Sequence, residues 1–178
     1  MSGIKVCHMS SAHRGLDVRI FHKECCSLAK SSYQVVLIIS ANSNEIEIAA
    51  NNQVRVIRLK PIIGRWKRFL FQSYRCYREA LKTKSDIYHF HDPELIPFAV
   101  LLRLRGKQVI YDVHEDFPSD IMFKEWIPLI ARKLISKTTS FVEYIAARYF
   151  FEVITATPYI LKRFKKANDK AVNVNNFP

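Results

Sequence analysis

The chain has 178 residues, 49% hydrophobic and 25% charged, with 28 Lys and Arg against 16 Asp and Glu. That apolar content excludes a disordered chain. Four glycines exclude collagen, and the absence of heptads or an internal period excludes coiled coils and repeat arrays. The net charge of +12 favours an anionic partner: nucleic acid, a phospholipid surface or a phosphate-bearing substrate.

The length suits one domain, residues 1–178. Residues 4–9 are too short, and lack the basic flank, to be a secretory leader. The longest uncharged apolar stretch, 95–102, falls well short of the roughly 20 residues of a membrane span. Cys7, Cys25, Cys26 and Cys76 form no metal-type spacing and read as reduced thiols in a cytoplasmic protein.

In chain order, residues 4–9 read as the first strand and 17–30 as a helix with Asp17 as its N-cap. Strands follow at 34–39 and 54–59, then a helix at 65–82. In that helix Trp66, Phe69, Leu70, Ser73, Tyr77, Ala80 and Leu81 make one stripe, expected to face the core. Lys67, Arg68, Arg75, Arg78 and Lys82 fall on another side, with Phe71 among them. Next come a strand at 86–90, a helix at 93–105 opened by Pro93, a strand at 108–113 and a helix at 127–150. A strand at 152–156, a helix at 158–166 opened by Pro158 and a strand at 171–174 complete the series. Strands alternating with helices predict βαβ units: an α/β, Rossmann-like, doubly wound and mostly parallel sheet of about seven strands, with helices on both faces.

In such a sheet ligands bind outside the carboxyl ends of the strands. Ser10, Ser11, His13, Arg14 and Gly15 follow strand one, and His91, Asp92 and Glu94 follow strand four. His114, Glu115 and Asp116 follow strand five. Three histidines thus converge on one edge, although polar residues also gather there simply because loops are solvated. The first loop has no GxGxxG and no P-loop string, which argues against a dinucleotide enzyme and a P-loop nucleotidase. His13, Arg14 and Asp17 near a helix start suit an anion or a hydroxyl-rich ligand instead.

His89, His91 and His114 form a metal set only in principle. No DxH or HExxH companion accompanies them, and the reading assigns no metal. In DVHEDFP, carboxylates beside His114 can tune it as a base or orient a sugar hydroxyl. From Arg55 to Lys84 there are ten Lys or Arg and a single acid, Glu79. Lys67, Arg68, Phe71 and Arg75 are the candidate contacts to an anionic membrane, against the plainer reading of a solvated face. No helix-turn-helix, zinc finger or RNP-type string points to nucleic acid.

The strings HRGLDVRIFHKECCSLAKSSYQVVLI, DIYHFHDPELIPFAVLLRLRGKQVIYDVHEDFP and VITATPYILKRF resemble the N-terminal half of a family 4 glycosyltransferase of the GT-B fold. The flavour is that of bacterial capsule, exopolysaccharide and lipopolysaccharide assembly. The resemblance covers essentially the whole chain. It implies an acceptor-side domain, often for lipid-linked saccharides, whose nucleotide-sugar donor binds a C-terminal domain beyond Pro178. This half alone is then inactive and carries no cofactor. Partners implied are a nucleotide-sugar and a glycan or lipid-linked acceptor; with the basic helix face, an anionic membrane surface is a further expected partner, and the expected location is cytoplasmic, peripheral on the inner face of the membrane.

Carried over, His13, Arg14, Gly15, Asp17, His91 and Glu115 are expected on the acceptor. His114 and Asp92 are expected at the chemistry, as bases in an inverting enzyme or as positioning groups in a retaining one. Positioning is the favoured reading. HRG stands where many relatives carry paired glycines, which alters the fine acceptor contacts. Two other readings compete: a non-catalytic membrane or anion-binding module, and a metal-dependent hydrolase.

Overall fold

The structure, a computed structural model, describes residues 3–60, 62 and 68–175. Its strands are β1 (Lys5–Arg14), β2 (Gln34–Ser40), β3 (Val54–Arg58), β4 (Ile87–Phe90), β5 (Gln108–Val113), β6 (Glu152–Thr155) and β7 (Val172–Asn173). They form one sheet in the order β3-β2-β1-β4-β5-β6-β7. The β1–β2, β1–β4, β2–β3 and β6–β7 pairs are parallel. The expected doubly wound topology is therefore present. The chain divides into two compact units, Met1–Ile110 and Tyr111–Pro178, the division falling within β5.

In the first unit, Val35 to Ile39 of β2 are all buried. A continuous apolar run is what a strand covered on both faces requires. Val35, Leu37 and Ile39 share a cluster with Ile20, Phe21, Cys25, Cys26 and Ala29. These residues belong to a π-helical segment, Val18–Cys25, that continues as helix α1 (Cys26–Lys30). A plain helix over 17–30 is thus corrected at its first turns. Asp17 is the N-cap, its carboxylate accepting from Arg19 N at 2.8 Å and Ile20 N at 3.0 Å. Its carbonyl accepts from His22 N, five residues on, at 3.4 Å, the spacing of a π turn.

Helix α2 (Ser43–Asn51) was not expected. A reciprocal capping box opens it: Asn42 accepts from Glu45 N, and Glu45 accepts from Asn42 N. A π-helical turn, Arg68–Gln72, leads into α3 (Ser73–Thr83), which packs on β1 and β2. Ser73, Tyr77 and Ala80 are buried as expected. Leu70, expected in the core, is 58% exposed. A 3₁₀ turn, Pro93–Leu95, precedes α4 (Ile96–Leu104).

The second unit holds α5 (Phe117–Met122), which was not expected, α6 (Leu129–Ala147) and α7 (Pro158–Lys165). Only Glu143, Ala146 and Ala147 of α6 are fully buried. A buried Glu143 accepts from Tyr111 Oη at 2.8 Å and from Arg163 Nη1 at 2.6 Å. Burial raises its carboxyl above the usual value, against the opposing pull of Arg163 and Tyr111. All four cysteines are free and buried. Burial pushes the Cys7 thiol up to about 12 and those of Cys25 and Cys76 well above their usual value.

Leu37 is wholly inaccessible at the centre of the first unit's core. Leu37→Ala is expected to cost about 3 kcal/mol, read from the urea midpoint at unchanged slope.

Candidate functional site

The site of the first unit forms where β1 and β4 end. A run as polar as Ser10–Arg14 reads as loop, yet β1 continues through it, and its pairing register with β2 shifts between Met9 and Arg14. The irregular end turns its backbone toward Asp92, the second residue after β4. Asp92 is 2% exposed. Its Oδ2 accepts from Ser11 N at 2.6 Å, Ala12 N at 3.1 Å and Ser10 Oγ at 2.9 Å. Its Oδ1 lies 2.9 Å from His13 Nδ1.

Burial by itself would raise the Asp92 carboxyl. The hydrogen bond and charge of His13, then the Ala12 and Ser11 amides, override it and hold the group at about 2. Asp92 is therefore a fixed anion at neutral pH. The bond to Asp92 calls for a proton on His13 Nδ1, and in the neutral imidazole that leaves the lone pair on Nε2. The His13 side chain is 33% exposed, so the base of the dyad is dry and its tip is reachable. Through this contact Asp92 fixes the orientation of the His13 ring. Glu94, 9% exposed, accepts from Ser11 Oγ at 3.1 Å and braces the same turn.

The other residues expected around this loop separate into different tasks. Gly15 has φ +71°, where a side chain is strained, and an added Cβ would strike the Glu45 carboxylate. Gly15 N donates to Ser40 O at 2.8 Å, which fixes the exit of the loop. Arg14 is exposed. The Asp17 carboxylate is engaged as an N-cap. His91 was expected among the acceptor contacts; it is 3% exposed and lies inside the unit. There its ring stacks on those of His8 and His89, with centroids 5.3 and 4.8 Å away.

His8, a residue that sequence reasoning passed over as part of a strand, is completely buried. It is the register partner of His89 across β1 and β4. Its Nδ1 lies 3.1 Å from His91 Nε2 and 3.7 Å from Glu24 Oε2. Arg19, also buried, holds Glu24 Oε1 with its Nε at 3.2 Å. The period-two spacing of His8 and Ser10, and of His89 and His91, was the only available signal.

In the second unit Asp112 is wholly buried and lies 2.5 Å from His114 Nε2. This is a second aspartate–histidine pair, with the His114 side chain 14% exposed. Glu115 is exposed, and Asp116 accepts from Ser119 Oγ at 2.6 Å.

Of the candidate membrane contacts, Lys67 and the Arg68 side chain lie outside the described residues, as does Trp66. Phe71 is 57% exposed, and Arg75 is exposed beside it. Arg75 and Arg78 also line a groove with Arg58, Lys60 and Glu79. Among the described residues no helix is long and apolar enough to cross a membrane.

Residues 18–175 match the profile of Glycosyltransferase Family 4. The chain belongs to that family. No curated protein matches it. Among solved structures, this family 4 chain is similar to sucrose-phosphate synthase from Thermosynechococcus elongatus. That match has a TM-score of 0.64 at 15% identity and covers 97% of this chain and 48% of the other. A UGT transferase from Siraitia grosvenorii in complex with UDP gives 0.58 at 9% identity, covering 98% and 51%. HepE from Anabaena, in complex with UDP and glucose, gives 0.53 at 14% identity, covering 97% and 44%. At these identities the likeness shows the fold, a GT-B-type Rossmann-like domain. The chain spans about half the length of each of these structures.

The ionised Asp92 should be visible in stability. Its folded-state value lies below the unfolded one, so it stabilises the fold fully above about pH 4, and that contribution is lost as pH falls toward 2. Asp92→Asn is expected to cost about 2 kcal/mol at pH 7, with the gap to wild type closing in acid, by urea titration across pH.

Proposed function

We propose that this family 4 chain is the acceptor-binding half of a glycosyltransferase. The enzyme moves a sugar from a nucleotide-sugar to a saccharide acceptor, lipid-linked, in surface polysaccharide assembly. The observation that carries the reading is the His13–Asp92 dyad at the carboxyl edge of a parallel sheet, the place where open α/β sheets bind ligands. A part-exposed imidazole whose Nδ1 is pinned by a buried carboxylate presents Nε2 as the acceptor for a sugar hydroxyl's proton. In a retaining reaction this hydrogen bond orients the hydroxyl. In an inverting one it removes the proton during attack. Orientation is the role proposed here. His114, backed by Asp112, and Glu115 are proposed as further acceptor contacts of the second unit.

The donor site and the groups that neutralise the departing diphosphate are proposed to lie in a second, C-terminal domain. Membrane-surface docking is the second reading, as a companion to transfer or as the whole function. The exposed Leu70, Phe71 and Tyr74 beside Arg75 and Arg78 support it, an apolar and cationic pairing suited to anionic headgroups. On this reading the protein works at the cytoplasmic face of the inner membrane.

The test is His13→Ala in the longer protein that carries this chain, assayed with UDP- and GDP-sugars and lipid-linked saccharides. Transfer is expected to fall about a hundredfold or more while donor affinity stays put. Unchanged transfer would remove the dyad from the mechanism. Vesicle binding that needs Phe71 and Arg75, with no transfer by the wild type, would favour the docking module.

A further inference from the structure

The buried histidines of the first unit are arranged for more than packing. His8 Nδ1, His91 Nε2 and Glu24 Oε2 form a triangle with sides of 3.1, 3.7 and 3.9 Å. The point equidistant from its three corners lies about 2.1 Å from each, which is the bond length of Zn²⁺ to imidazole nitrogen and carboxylate oxygen. One ligand atom each from His8, Glu24 and His89 also falls within 4.8 Å of one another. The His89 ring, its centroid 4.6 Å from that of His8 and 4.8 Å from that of His91, is the candidate fourth ligand.

We propose that the first unit binds one divalent transition metal ion, of the zinc class, through His8, His91, Glu24 and His89. The donor set is three imidazoles and one carboxylate, which suits zinc and disfavours calcium or magnesium. Arg19 Nε, 3.2 Å from Glu24 Oε1, fixes the carboxylate so that Oε2 faces the rings. The ligands come from three places: β1, β4 and the π-helical segment. A metal there ties the segment to the strands directly below the His13–Asp92 turn, since His91 precedes Asp92 in the chain. Its role is structural, and it stands whether or not the chain serves glycosyl transfer. The sequence reading weighed His89, His91 and His114 and assigned no metal for want of a DxH or HExxH companion. His8 and Glu24 enter only through strand register and the π turn.

The competing account is a proton shared between His8 Nδ1 and His91 Nε2. The two are separated by stripping the 178-residue chain with a chelator and titrating Zn²⁺ against a chromophoric competitor. One zinc per chain is expected, at a sub-micromolar Kd, with Tm rising with zinc concentration. Co²⁺ in place of zinc should give the intense visible absorption of a four-coordinate site. Glu24→Gln and His91→Asn should each weaken binding at least tenfold, while His22→Ala, an exposed histidine, should not. Absence of saturable zinc, a weak octahedral Co²⁺ spectrum, or equal affinity in both ligand variants would overturn the proposal. The Co²⁺ spectrum of the unmutated chain decides even where a variant fails to fold.

Discussion

A carboxylate removed from water must find its hydrogen bonds in the protein, and Asp92 finds four partners within one turn of chain: Ser10, Ser11, Ala12 and His13. Charge-assisted bonds of this kind are about twice as strong as neutral ones. They are what holds the irregular end of β1 against the end of β4. Without that anchor the polar run from Ser10 to Arg14 has no reason to stay extended. The aspartate thus does two jobs through one set of bonds. It shapes the rim of the sheet, and it orients the ring of His13, whose side chain is 33% exposed.

The same region carries a second constraint. His8 and His89 sit in register on neighbouring strands, so their rings share a face. The opposite face of the same two strands is apolar, with Cys7, Met9, Tyr88 and Phe90 all buried. Placing three imidazoles, Arg19 and Glu24 in such an interior is costly unless each polar atom is engaged. The π turn at residues 18–25 brings Glu24 to the rings and Arg19 to Glu24. Single π turns of this kind recur at functional sites.

The sheet was legible in the sequence because each strand is a short apolar run bounded by polar residues, and all seven stand where those runs lie. What escaped has physical causes. Helix α2 buries only Ala49, so it has no apolar stripe, although Asn42 and Glu45 spell its capping box. The extension of β1 escaped because its pairing depends on Asp92, eighty residues away in sequence. Of the candidate site, the positions of His13, Asp92 and His114 after strand ends were readable, and Asp112 stood out in the DVHEDFP string at the end of its strand. His91 looked like a rim residue and is interior, because β4 and its turn carry it under the edge. His8 and Glu24 were not readable at all, since only strand register and a π turn bring them together. Family membership, matched over residues 18–175, rests on the same strings that made the resemblance visible.

The proposed function turns on a division of labour in which this chain holds the acceptor and another domain holds the donor. The direct measurement is a calorimetric titration of UDP- and GDP-sugars into this chain and, in parallel, into the longer protein that carries it. The account predicts heat of donor binding from the longer protein only. Saturable donor binding by the 178-residue chain alone would contradict it and would reassign the edge around His13 and Asp92 to the donor.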